Sequence, residues 1–90
     1  MINPKELKEA AQGIRVLYVE DDLELRQNTA RLLNSFFAVV HTAKNGFEGL
    51  EMFSNSSYDF IITDINMPVM NGVKMVQEIK KKNPQQIIIV

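Results

Sequence analysis

The chain has 90 residues, enough for one domain and too few for two. Hydrophobic residues make up 46%, charged residues 23%, and the net charge is −1, so nothing electrostatic argues for binding nucleic acid or an anionic membrane surface. The absence of cysteine removes disulfides and thiolate metal sites and fits a cytoplasmic setting, and no apolar run approaches the ~20 residues that span a bilayer.

Asn3-Pro4 can open a short helix that runs from Lys5 to Gln12 and stops at Gly13, with a thin apolar stripe of Leu7, Ala10 and Ala11. Residues 1–13 are therefore expected to be a helical extension, and residues 14–90 the domain proper. Val16-Leu17-Tyr18-Val19 is a short continuous apolar run that ends abruptly in Glu20-Asp21-Asp22, as a strand buried on both faces would. A helix is expected from Leu23 to Phe37, with Leu25, Thr29, Leu32, Leu33 and Phe36 at helical spacing and Phe36-Phe37 in the core.

Val39 to Thr42 reads as a second strand, and its lone His41 has no partner motif that would make it a ligand. Asn45-Gly46 breaks the chain, after which Phe47, Leu50 and Met52-Phe53 give a second short helix its apolar side. Tyr58 to Thr63 is a third strand that ends at Asp64. Val73 to Lys82 forms a third helix through Val73, Val76 and Ile79, and Lys80-Lys81-Lys82 complements the negative end of its dipole. Asn83-Pro84 stops that helix, and Ile87 to Val90 is a fourth strand. Met67, Met70 and Met75 read as packing residues.

Strands alternating with helices imply βαβ units and a parallel sheet covered on both faces. In such sheets ligands bind beyond the carboxyl ends of the strands. The first and third strands both end in carboxylates, at Glu20-Asp21 and at Asp64. Asp64 alone would be read as a turn or cap residue; acids delivered to one edge by neighbouring strands are a different matter. Two like charges ~4 Å apart cost about 4 kcal/mol at an effective dielectric of 20, so three need protons or a cation. Carboxylate oxygens with no His or Cys beside them in sequence suit Mg²⁺, which commonly meets phosphate in its remaining positions, and Asp64 can then act as a carboxylate nucleophile.

At these residues the sequence resembles the receiver domain of two-component response regulators. The resemblance rests on Val16-Leu17-Tyr18-Val19-Glu20-Asp21-Asp22, on Asn45-Gly46-Phe47-Glu48-Gly49-Leu50, and above all on Asp64-Ile65-Asn66-Met67-Pro68-Val69-Met70-Asn71-Gly72. It implies an α/β, flavodoxin-like doubly wound parallel sheet of strand order 2-1-3-4, with the fifth strand and last helices absent, so that residues 14–90 are an incomplete, C-terminally truncated receiver. It further implies Asp64 as phosphoacceptor, Asp21 as direct Mg²⁺ ligand, Glu20 as a looser one and the Asn66 backbone carbonyl as another. Asp22 falls outside the acidic pair and suits the N-terminus of the first helix. Asn71 can cap the third helix, and Gly72 permits a tight start to it.

The implied partner is a sensor histidine kinase. The chain would help catalyse its own phosphorylation and dephosphorylation rather than act as a free-standing enzyme. The family's switch Ser or Thr and its phosphate-binding Lys would lie beyond Val90. An exposed fourth strand would then invite self-association. Two alternatives compete: a non-phosphorylated pseudo-receiver acting only as an interaction module, and a Mg²⁺-dependent phosphohydrolase of the haloacid-dehalogenase type. The latter calls for a second Asp where this chain has Asn66.

Overall fold

The computed structural model of the chain describes residues 3–6, 13–65 and 71–90. Among the described residues from 13 onwards, four strands, β1 (Arg15–Val19), β2 (Val39–Ala43), β3 (Phe60–Thr63) and β4 (Ile87–Ile89), alternate with three helices, α1 (Leu23–Asn34), α2 (Gly46–Asn55) and α3 (Gly72–Lys82). All strand pairs are parallel, in the order β2-β1-β3-β4. The doubly wound sheet and its order agree with the expectation from the sequence.

Each helix starts on a side-chain cap placed just after the preceding strand or loop. Asp22, Asn45 and Asn71 each accept a backbone N–H three residues ahead, at 2.8, 2.7 and 2.9 Å. Such caps are each worth about 1 kcal/mol. Because every crossover returns to a parallel strand, all three helix N-termini gather at the carboxyl edge of the sheet, with the positive ends of their dipoles.

Alternation along the strands divides the apolar residues between two faces. Leu17, Val19, Ala43 and Ile61 are buried against Met75 and Ile79 of α3, and Leu50, Met52 and Phe53 of α2 close the same layer. Gly49 makes that closeness possible: a Cβ there would lie 2.8 Å from Met75 Sδ and 2.9 Å from Val19 Cγ2. α1 lies against β2 and β1 on the opposite face, over Val16 and Tyr18, which are also buried.

The structure corrects several expected boundaries. α1 stops at Asn34 rather than Phe37: the Ser35 and Phe36 N–H groups donate to the Leu32 and Leu33 carbonyls, three residues back in place of the α-helical four. The two phenylalanines are half-buried, and Phe37 meets Phe60 edge-on at 6.4 Å between ring centres. Leu25 and Leu32, expected on the buried stripe of α1, are 50% and 62% exposed. On α3 the packing residues are Met75 and Ile79, while Val73 is exposed. β3 begins at Phe60, two residues later than expected, since Tyr58 and Asp59 are engaged in side-chain contacts below the strand.

At the N-terminus residues 4–6 are helical and the Glu6 N–H donates to Asn3 Oδ1 at 2.8 Å. The remainder of the expected helix, including Leu7, Ala10 and Ala11, lies outside the described residues, as do Asn66, Met67, Pro68, Val69 and Met70.

Candidate functional site

Parallel register brings the acids together. Val19 of β1 lies opposite Thr63 of β3 and opposite Ala43 of β2. The ladders continue one step past the strands: the Glu20 N–H donates to the Ala43 carbonyl at 3.0 Å and the Asp64 N–H to the Val19 carbonyl at 3.3 Å. Glu20 and Asp64 are thereby neighbours at the carboxyl edge, and the turn into α1 adds Asp21. One carboxylate oxygen from each of Glu20, Asp21 and Asp64 lies within 4.8 Å of the others.

The three acids differ in their surroundings. Glu20 is buried, with 6% of its surface exposed, and its Oε2 accepts the Asp22 N–H at 3.1 Å. Burial pushes its carboxyl above the usual carboxylate range; the Asp22 hydrogen bond pulls the other way, and the Asp21 and Asp64 charges add to the rise. Asp21 is exposed and Asp64 keeps contact with solvent. A hard, all-oxygen donor set, crowded enough to repel itself, suits a hard divalent cation such as Mg²⁺ better than zinc or copper.

The backbone around Asp64 is held from both sides. The Thr63 hydroxyl donates to the Asp64 carbonyl at 2.8 Å. The Gly72 N–H, at the start of α3, donates to the Ile65 carbonyl at 2.8 Å. A Cβ on Gly72 would collide with the Asp64 carbonyl oxygen and Ile65 Cα, so glycine is required by close approach and not by its φ.

Residues 16–90 match the response regulator receiver domain family. The chain belongs to that family. It is 39% identical over 67 residues to a transcriptional regulatory protein, the CpxR homolog of Haemophilus influenzae, an alignment that covers 74% of this chain and 29% of that protein. Among solved structures it resembles the response regulator TrrA of Thermotoga maritima in complex with Mg(2+)-BeF, with a TM-score of 0.79 and 35% identity, covering 83% of this chain and 65% of that one. TrrA is similar again in its complex with the histidine kinase ThkA, at a TM-score of 0.77 and the same identity and coverage. The chain thus spans under a third of its curated relative and just under two thirds of these solved receivers.

The receiver's three sequence-predicted acids meet in space; the fourth predicted ligand, the Asn66 carbonyl, lies outside the described residues. Asp22 and Asn71 take up the expected positions at helix N-termini, both as caps. Arg26 was missed. Its Nη1 donates to the Glu20 carbonyl at 2.7 Å and lies 3.4 Å from the Asp21 carbonyl. A signal existed: a cation near the start of α1 runs against the helix dipole, so it calls for a local partner.

Proposed function

We propose that this receiver accepts a phosphoryl group on Asp64 from a sensor histidine kinase in the cytoplasm, with Mg²⁺ held by Glu20, Asp21, Asp64 and the Asn66 backbone carbonyl. The observation that supports it is the convergence of three carboxylates at the strand ends, with Asp64 still open to solvent. An Asp64 carboxylate oxygen attacks the phosphorus of a phosphohistidine. The P–O bond forms as the P–N bond breaks, and the imidazole leaves with the electron pair and takes up a proton from water. When bound, Mg²⁺ supplies charge neutralisation for the phosphoryl oxygens. Thr63 and Gly72 fix the backbone on either side of the nucleophile, so the reaction proceeds by positioning rather than by a general base. The interaction-only alternative has no comparable support, since all three acids are present and meet.

The test is acetyl phosphate with Mg²⁺, read by intact mass. Wild type gains one phosphoryl group that hydroxylamine removes, and Asp64→Asn gains none. Modification that persists in Asp64→Asn would overturn the assignment.

A second reading concerns partners. Among the described residues β4 pairs only with β3, and Ile87, Ile89 and Val90 are 52%, 48% and 74% exposed. An apolar edge of that kind templates pairing, so copies of this chain associate through β4. Light scattering after size exclusion checks this: Ile89→Lys shifts an oligomer towards monomer, and a wild-type monomer across the micromolar range refutes it.

A further inference from the structure

The strand ladders satisfy the Glu20 N–H and the Asp64 N–H, but they leave the Glu20 carbonyl at a point where β2 has already ended at Ala43. Arg26 supplies the donor for that carbonyl at 2.7 Å, and the same nitrogen lies 3.4 Å from the carbonyl of Asp21. Glu20 is buried, so water is a poor substitute for the guanidinium. Arg26 is in turn anchored by its own N–H, which donates to the Asp22 carbonyl at 2.9 Å, while the Asp22 N–H donates to Glu20 Oε2 at 3.1 Å. A closed ring of hydrogen bonds therefore runs from Glu20 through Asp22 to Arg26 and back, with Asp21 at its apex.

We propose that Arg26 is a positioning residue that holds Glu20 and Asp21 in the arrangement that binds the cation, a reading that rests on the metal site proposed above. Two effects of the guanidinium oppose each other. As a charge it repels Mg²⁺, so its removal would tighten binding; as a donor it fixes the loop that carries two ligands, so its removal would loosen binding. The direct hydrogen bond and the buried carbonyl make the second effect the larger. Loss of groups that orient metal ligands typically costs about 10–100-fold in affinity.

The experiment is calorimetric titration of Mg²⁺ into the whole chain and its variants, each checked for folding by circular dichroism. Arg26→Ala is expected to bind about tenfold more weakly or worse, and Arg26→Lys, which keeps one charged donor, between Ala and wild type. Arg31→Ala removes the same charge from the last turn of α1 and is expected to stay within about twofold of wild type. Binding by Arg26→Ala at or above wild-type affinity overturns the proposal, as does a Lys variant no better than Ala, or an equal loss in Arg31→Ala. If Arg26→Ala does not fold, the comparison of wild type with Arg26→Lys decides alone: weaker binding supports the role and equal binding overturns it. A wild-type chain that binds no Mg²⁺ overturns the metal site itself and this role with it, a result distinct from the others.

Discussion

The two ends of the sheet use polar residues in opposite ways. At the amino end unlike groups are matched. The Arg15 N–H donates to Asp59 Oδ2 and the Asp59 N–H to the Arg15 carbonyl, both at 2.8 Å, and Arg15 Nε donates to the Ser57 carbonyl at 2.9 Å. The Arg15 guanidinium also lies 5.7 Å from the Tyr58 ring centre, and the Tyr58 hydroxyl is 2.7 Å from His41 Nδ1. Gln86 Nε2 caps the Tyr58 and Asp59 carbonyls at 3.0 and 3.3 Å. At the carboxyl end three like charges converge, and one of them is buried. The first arrangement stabilises the fold by itself; the second is costly until a cation or proton arrives. The network that stabilises the fold and the candidate site thus lie at opposite ends of the strands.

That separation can be broken experimentally. The largest effect is expected at the amino end, where Tyr58→Ala removes a buried ring together with its His41 and Arg15 contacts. A stability loss of about 3 kcal/mol or more is expected in denaturant melts, with the Mg²⁺-induced shift in Tm preserved wherever the variant folds. A lost Mg²⁺ response in a folded Tyr58→Ala chain would show that the two ends are coupled. Next comes Gly72→Ala, which drives a methyl group against the Asp64 and Ile65 backbone. It should destabilise by about 1–3 kcal/mol and, unlike Tyr58→Ala, should also slow phosphorylation of Asp64 by acetyl phosphate.

Much of this division was legible in the sequence. The apolar run Val16-Leu17-Tyr18-Val19 stopping at Glu20-Asp21, and a third run stopping at Asp64, placed the acids at one edge once the sheet was taken as parallel. The Asn71 cap was legible, and Asp22 was legible as an acid at the N-terminus of α1, because helix starts depend on the two or three residues that follow. The amino-end network was not, since the contact between His41 and Tyr58 spans 17 residues and that between Gln86 and Tyr58 spans 28. Local periodicity carries no information about such pairs. The stripe on α1 misled for a related reason: spacing identifies a face but not how much of it the sheet covers. Leu25 and Leu32 share a side of α1 away from Arg26, Ala30 and Asn34, which line a cleft with Thr42 of β2.

A smaller effect of opposite sign is expected at the carboxyl end. Asp21→Asn removes one of three mutually repelling charges, so without metal the variant should be more stable than wild type by up to about 1 kcal/mol. Mg²⁺ should reverse the order, because a ligand at ten times its dissociation constant adds about 1.4 kcal/mol to a chain that binds it only when folded. Thermal melts with and without Mg²⁺ give both comparisons. An equal Mg²⁺ shift in the two chains would remove Asp21 from the ligand set.

The smallest effect, and the sharpest test of the amino end, is a pH dependence. Burial raises the Tyr58 phenol above its usual value of 10.0, while the Ser56 hydrogen bond and the Arg15 charge pull the other way. A folded-state value above the unfolded one means that the fold prefers the neutral phenol. The resulting stabilisation is fully present below about pH 10 and is lost as pH rises through the folded-state value. Ionisation also takes away the proton that the hydroxyl can donate to His41 Nδ1 across 2.7 Å. Tyr58→Phe keeps most of the ring packing and removes the titrating group. Its stability should fall less steeply than wild type above pH 10, so that the gap between the two chains narrows there. Lysine titration affects both chains alike and cancels in the difference. Parallel alkaline limbs would mean that the phenol is as easily ionised in the fold as in the unfolded chain, which would contradict its burial at the matched end of the sheet.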